Sequence, residues 1–110
     1  MNNYTGSKKF HALLDTMRKM HIDKSAGYAG TDNPDPLANF RECERFGVSA
    51  FKGCMVRLSD KFIRATNLIR DSANERVGEK ITDTLLDLAS YSLIAIILLQ
   101  EQNEEYTNEA

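Results

Sequence analysis

The sequence predicts an all-α fold, and three observations carry the prediction. Apolar residues recur at spacings of three and four along most of the 110-residue chain. No stretch alternates apolar and polar residues for long enough to make a strand. The helical stretches are separated by segments rich in glycine, proline and polar residues. The expected architecture is a compact four-helix array with an antiparallel C-terminal helix hairpin, completed by oligomerisation. Residues 1–103 are expected to form one domain and residues 104–110 a frayed polar tail.

A first helix is expected from about Ser7 to Ile22, capped by Thr5 or Ser7. Phe10, Leu13, Leu14, Met17 and Met20 share one stripe of it, while Lys8, Lys9, Asp15, Arg18 and Lys19 fall mostly off it. Asp23 to Pro34, with Gly27, Gly30 and Asp32-Asn33-Pro34, reads as a loop of a length that often carries function. Asp35-Pro36 then reads as an N-cap followed by proline at the first helical position. Leu37, Phe40, Cys43 and Phe46 line a short helix of roughly three turns that Gly47 ends.

Ser49 is placed to cap a third helix reaching about Asp71, with Phe51, Met55, Leu58, Phe62, Ala65 and Leu68 or Ile69 as its buried stripe. Gly53 inside it costs about 1 kcal/mol relative to alanine, which leaves either a close helix contact or a later helix start. After the polar connection Asp71 to Gly78, a last helix is expected from about Glu79 to Asn103. Ile81, Leu85, Leu88 and Tyr91 face inward in its first half. Leu93 to Leu99 is apolar all round and needs cover on every side, which points to a homo-oligomer through this segment.

Composition narrows the function. Hydrophobic residues at 42% and charged residues at 27% describe a globular chain, and the net charge of −2 gives no reason to expect direct nucleic-acid binding. Cys43 and Cys54 form no CxxC pair and read as reduced thiols in a core, and His11 and His21 are not at zinc-ligand spacing with them. The polar N-terminus does not resemble a signal peptide, and the run Leu93 to Leu99 is far below the roughly 20 residues of a membrane span. The expected setting is a soluble protein in a reducing cytoplasm, with no membrane partner.

The residues that can carry chemistry sit on the last two helices. Arg57, Lys61 and Arg64 share a face of the third helix, bordered by Asp60. Glu79, Asp83 and Asp87 repeat at intervals of four on the fourth. In an antiparallel hairpin Asp60 and Asp87 come opposite each other, with Asp83 one turn away. Two alternatives follow. Converging carboxylates of Asp60, Glu79, Asp83 and Asp87 hold Mg²⁺ while the cations grip phosphate, which suits metal-assisted attack on a phosphoanhydride. Alternatively, Asp83 and Asp87 pair with Lys61 and Arg64 and fix the register of the helices, the commoner role of helix charges. Lys24 for a phosphate and Tyr28 for stacking on a base form a second group, with Asn39, Arg41 and Glu44 placed to complete a pocket. A core Tyr28 and an Arg41–Glu44 surface pair are the plain alternatives. No P-loop, Rossmann fingerprint or nucleophile elbow is present.

Three blocks carry a resemblance. They are Asp35-Pro36-Leu37-Ala38-Asn39-Phe40-Arg41 with Glu44-Arg45-Phe46-Gly47-Val48, then Val56-Arg57-Leu58-Ser59-Asp60-Lys61 with Arg64 and Asn67-Leu68, then Glu79 with Asp83 to Tyr91. Together they resemble the nucleotide modification associated domain family of bacteriophages and prophages, from about Lys24 to Leu98. That family looks like a reduced relative of the MazG-type all-α nucleoside triphosphate pyrophosphohydrolases. The resemblance implies a nucleotide ligand, an Mg²⁺-dependent pyrophosphohydrolase or a non-catalytic nucleotide binder, an oligomer, and a host cytoplasm if the chain is phage-encoded. Family members carry Lys-Asn-x-Asp-Tyr in the first loop, where this chain has Lys24-Ser25-Ala26-Gly27-Tyr28 and lacks the acid. The MazG pattern of Glu-x-x-Glu and Glu-x-x-Asp is also incomplete, leaving Asp60, Asp83 and Asp87 with Glu79 or Glu44 as substitutes.

Overall fold

The computed structural model describes residues 3–29, 34–71 and 77–109, apart from the side chains of 28, 29, 77, 79 and 106–109. Among them every regular element is helical: α1 (Lys8–Ala29), α2 (Ala38–Arg41), a 3-10 turn (Glu42–Phe46), α3 (Ala50–Arg70) and α4 (Val77–Glu109). The chain divides into two compact units, Met1–Asn39 and Phe40–Ala110.

In the first unit Ser7 opens α1. Its hydroxyl accepts from the Phe10 amide at 3.2 Å, which satisfies one of the orphan amides of the first turn, and its carbonyl accepts the first helical bond from the His11 amide at 3.2 Å. The helix does not stop at Ile22 but runs to Ala29. Lys24, Ser25, Ala26 and Gly27, expected in a loop, are therefore helical. The reason is local: a single glycine costs about 1 kcal/mol in a helix, too little to end one that no proline interrupts. Gly30 and Asp32-Asn33 of the expected loop lie outside the described residues. The apolar stripe of α1 is largely open to solvent, with Phe10 61%, Leu13 47% and Leu14 39% exposed. The Asp35 carboxylate accepts from the Leu37 amide at 3.0 Å, which makes the expected cap at Asp35-Pro36.

In the second unit the expected three-turn helix becomes one α turn and a 3-10 turn. Gly47 ends it as expected, at a φ of 79° in the left-handed region. Phe40 is buried, Cys43 half-buried, and Phe46, read as a core residue, is 83% exposed. Ser49 caps α3 by accepting from the Lys52 amide at 3.2 Å. Gly53 lies inside α3, and the close-contact alternative holds: a Cβ there would fall 2.5 Å from the Cys43 sulfur.

α3 and α4 pack on each other. Cys54 Sγ donates to the Tyr91 carbonyl at 3.4 Å, and two turns later along α3 Lys61 meets Asp87, one turn earlier along α4. The buried residues of this seam are Ala50, Cys54 and Ala65 on α3 and Thr84, Ile94, Ala95 and Leu98 on α4. Met55 (42% exposed), Phe62 (59%) and Ile69 (60%), expected in the core, are on the surface, as is Leu85 (53%). The physical reason is size. Two helix backbones approach closely where alanine, cysteine and threonine face each other, and the larger side chains beside them are left outside. Leu93 to Leu99 is likewise divided: Ile94, Ala95 and Leu98 are buried, whereas Leu93, Ile96, Ile97 and Leu99 are exposed.

α4 also runs past both expected ends, from Val77 rather than Glu79 and to Glu109 rather than Asn103, so 104–109 is helical, not frayed. Gln102, Glu104 and Glu105 are good helix formers and no glycine or proline follows Gly78. Over this length Lys80–Glu105 is apolar enough to cross a membrane by length and composition, a property also met by core helices of soluble proteins. The short run Leu93 to Leu99, on which the sequence reading rested, understates it.

Candidate functional site: a charged face on α3 and α4

The sheltered charge pair of the second unit joins its two long helices. Lys61 Nζ lies 3.1 Å from Asp87 Oδ2, with the side chains 30% and 15% exposed. Both residues sit on the seam side of their helices. The neighbouring amphipathic pattern forces them there, because Lys61 follows Cys54 by two turns and precedes Ala65 by one. The lysine stem covers apolar surface while its ammonium reaches the carboxylate. This is the register-fixing pairing that the sequence left open for Asp87 and Lys61.

Arg57 sits one turn before Lys61 and is half-buried. Its guanidinium carbon is 4.7 Å from the centre of the Phe40 ring, and Phe40 meets Tyr91 edge-on with ring centres 5.7 Å apart. The Phe40 ring thus links the segment before α3 to both long helices, and the cation on its face is worth about 0.5–2 kcal/mol. Arg41, expected either to complete a nucleotide pocket or to pair with Glu44, reaches Glu101 near the end of α4, Nη2 to Oε2 at 2.9 Å. Glu42 pairs with Arg45 at 3.0 Å on the open surface. Nothing in the sequence signals the Arg41–Glu101, Phe40–Arg57 or Phe40–Tyr91 contacts, since each joins residues far apart along the chain. Thr84 was also missed; it is buried, and its hydroxyl donates to the Lys80 carbonyl at 2.7 Å. That bond within its own helix satisfies the polar group and lets it sit in the seam.

Asp60, Arg64 and Asp83 are exposed, and Asn39 is half-buried. Lys24 is exposed on α1 rather than in a loop. The side chains of Tyr28 and Glu79 lie outside the described residues. Among the described residues no three His, Cys, Asp or Glu are grouped closely enough to hold a metal ion. Asp87, the most sheltered of the expected ligands described, faces an ammonium.

Cys54 is 1% exposed, and burial pushes its thiol above the ordinary value, an effect opposed by the nearby Arg57 charge. Both cysteines are free thiols. A buried, protonated thiol is a weak nucleophile, so Cys54 acts as a small apolar residue of the seam.

Arg57, Lys61 and Arg64 follow one another on α3 within two turns, with one carboxylate orienting the central ammonium. Comparison with known proteins finds no matching family model, no matching curated protein and no matching solved structure.

Proposed function

We propose that this chain is a nucleotide-handling protein in which α3 and α4, read as an antiparallel hairpin, bind the phosphate chain on their charged side. The observation that carries the proposal is the sheltered Lys61–Asp87 pair flanked by Arg57 and Arg64. Asp87 holds the ammonium in one place, Arg57 is held against Phe40, and exposed Arg64 is free to swing onto a ligand oxygen. A pre-ordered cation loses less side-chain entropy on binding than a free one, which is what a phosphate site gains from such a pair. The resemblance of the blocks around these residues to the phage nucleotide modification associated domain supports the same ligand class.

Binding without turnover is the outcome this geometry supports best, because the carboxylate most sheltered for metal chemistry is held by a lysine. Mg²⁺-dependent hydrolysis is the second reading, favoured by Asp83 and Asp87 one turn apart on α4 and by exposed Asp60 next to Lys61 on α3. There Asp87 would exchange Lys61 for the metal, with Asp60, Asp83 and Glu79 as further oxygen donors. Bound Mg²⁺ would supply charge neutralisation for water attack on a nucleoside triphosphate, with release of pyrophosphate.

A thermal-shift series with nucleoside mono-, di- and triphosphates, with and without Mg²⁺, separates the two. A ligand that binds only the native chain raises its melting temperature. Stabilisation that is lost in Arg64→Ala, with the nucleotide recovered intact, supports the binder. Stabilisation with consumption only in Mg²⁺ supports the hydrolase. No shift with any nucleotide at millimolar concentration sinks both.

A further inference from the structure

We infer that Phe40 is a positioning residue of the phosphate site: its ring holds the Arg57 guanidinium beside Lys61 and Arg64, and the strength of anion binding depends on the electron density of that ring's face. This rests on the reading of this side of α3 as a phosphate site, and adds to it a residue that acts only through another side chain.

At about 100° and about 1.5 Å per residue, Arg57, Lys61 and Arg64 fall within an arc of roughly 60° and a rise of about 10 Å along α3. Three long side chains lose less entropy on one ligand if they are ordered beforehand, and these three are ordered differently. The Asp87 carboxylate orders Lys61, Nζ to Oδ2 at 3.1 Å, and neutralises it at the same time. Arg64 is exposed. The Arg57 guanidinium carbon lies over the Phe40 ring, 4.7 Å from its centre. A phenyl ring carries no net charge, so its negative face attracts the cation without cancelling it. It also offers no lone pair, so the N–H donors of a guanidinium held in this way are kept for oxygen acceptors.

Phe40 is itself fixed from both long helices. It is buried, and Tyr91 of α4 meets it edge-on with ring centres 5.7 Å apart. Its chain neighbour Arg41 is tied to Glu101 of α4, Nη2 to Oε2 at 2.9 Å. Three residues after Phe40, Cys43 lies so close to α3 that a Cβ on Gly53 would fall 2.5 Å from its sulfur. A ring anchored on each side offers the cation one orientation. Phe40 therefore places Arg57 rather than the reverse.

A purely structural Phe40 would need only apolar bulk, and any change there would reach a ligand only through stability. The electrostatic role makes a different demand. It needs the ring's quadrupole, which fluorine withdraws step by step while the shape of the ring changes little.

Calorimetric titration of the full chain with inorganic tripolyphosphate, which has no base to stack, tests the assignment. Phe40 is replaced by its mono-, di- and trifluorinated analogues, and circular dichroism and the melting temperature verify that each chain keeps its fold. Affinity is expected to fall stepwise along the series, by on the order of threefold to tenfold at the trifluorinated ring. In an Arg57→Gln background the series should be flat, because the ring then has no cation to hold. Equal affinity along the series overturns the inference and leaves the phosphate site standing, as do losses that persist in Arg57→Gln. Where Arg57→Gln binds too weakly to titrate, the Nε–Hε resonance of Arg57 is read in the fluorinated chains instead. A drift toward the position of exposed arginines, in step with the loss of affinity, supports the inference, and a resonance that stays in place overturns it. A wild-type chain that binds no tripolyphosphate and is stabilised by no nucleotide removes the phosphate reading and the inference with it.

Discussion

The two faces of the α3–α4 pair differ in the size of their residues. The seam between the helices is made of Ala50, Cys54, Ala65, Thr84 and Ala95, with Ile94 and Leu98 toward one end. The neighbouring face is made of phenylalanine, methionine, leucine and isoleucine and is open. Along α3, burial has thus gone to the small residues Ala50, Cys54 and Ala65 and not to the most hydrophobic ones, whereas α4 buries Ile94 and Leu98 as well. Large apolar residues need a wider separation or an outside partner.

This difference can be broken experimentally, and the largest effect is expected from enlarging the seam. Ala65→Leu inserts three carbons where the side chain is 5% exposed, and it should lower stability by about 1–3 kcal/mol in urea unfolding. The loss should not depend on chain concentration. An Ala65→Leu chain as stable as the wild type would mean that the seam is loosely packed.

Asp87→Ala strands the Lys61 ammonium at a site where both side chains are more than two-thirds covered. A cost of about 1–2 kcal/mol is expected, between an exposed pair and a fully buried one. A double-mutant cycle with Lys61→Met should recover part of it. Additive losses would show that the two charges do not interact.

Gly53→Ala sets two terms against each other. Helix propensity favours alanine by about 1 kcal/mol, but the new Cβ would sit 2.5 Å from the Cys43 sulfur. Cys43 is short and already placed against the Phe40 and Ser49 carbonyls, so it has little room to give way. The clash should win, making Gly53→Ala destabilising, and Gly53→Ala with Cys43→Ala should restore stability. Ser49→Ala, which removes a single cap, is expected to cost about 1 kcal/mol in the same unfolding assay.

The smallest effect concerns the Cys54 thiol. Its value is raised in the folded chain, so the unfolded thiol ionises first as pH rises. The sign is fixed by that order: the contribution is fully present below the unfolded value and is lost as pH climbs through the ordinary thiol range toward the folded value. Cys54→Ala should remove this alkaline loss from the stability profile while leaving the profile at neutral pH parallel. An unchanged alkaline slope would assign the loss to other groups.

Legibility in the sequence followed the range of the interactions. Ser7, Asp35, Gly47 and Ser49 were readable as helix punctuation because a cap is made within three residues of itself. The end of α1 was misplaced because Gly27 looked like a stop, and no local rule says that one glycine will be tolerated. Of the candidate site, Lys61 and Asp87 were readable as potential partners from their faces. Their selection over Arg64 and Asp83 came from the pairing of the two helices.

The sequence by itself determined the all-α character, the caps and the amphipathic stripes, since these depend on periodicity and on hydrogen bonds within a few residues. Only the tertiary structure decided which stripe faces inward. The helical wheel shows two adjacent apolar stripes on α3 and on α4, and hydrophobicity ranks the larger residues first. On α3 close packing reverses that order, because two helices approach where side chains are small, and how near two backbones come is not a local property of either one.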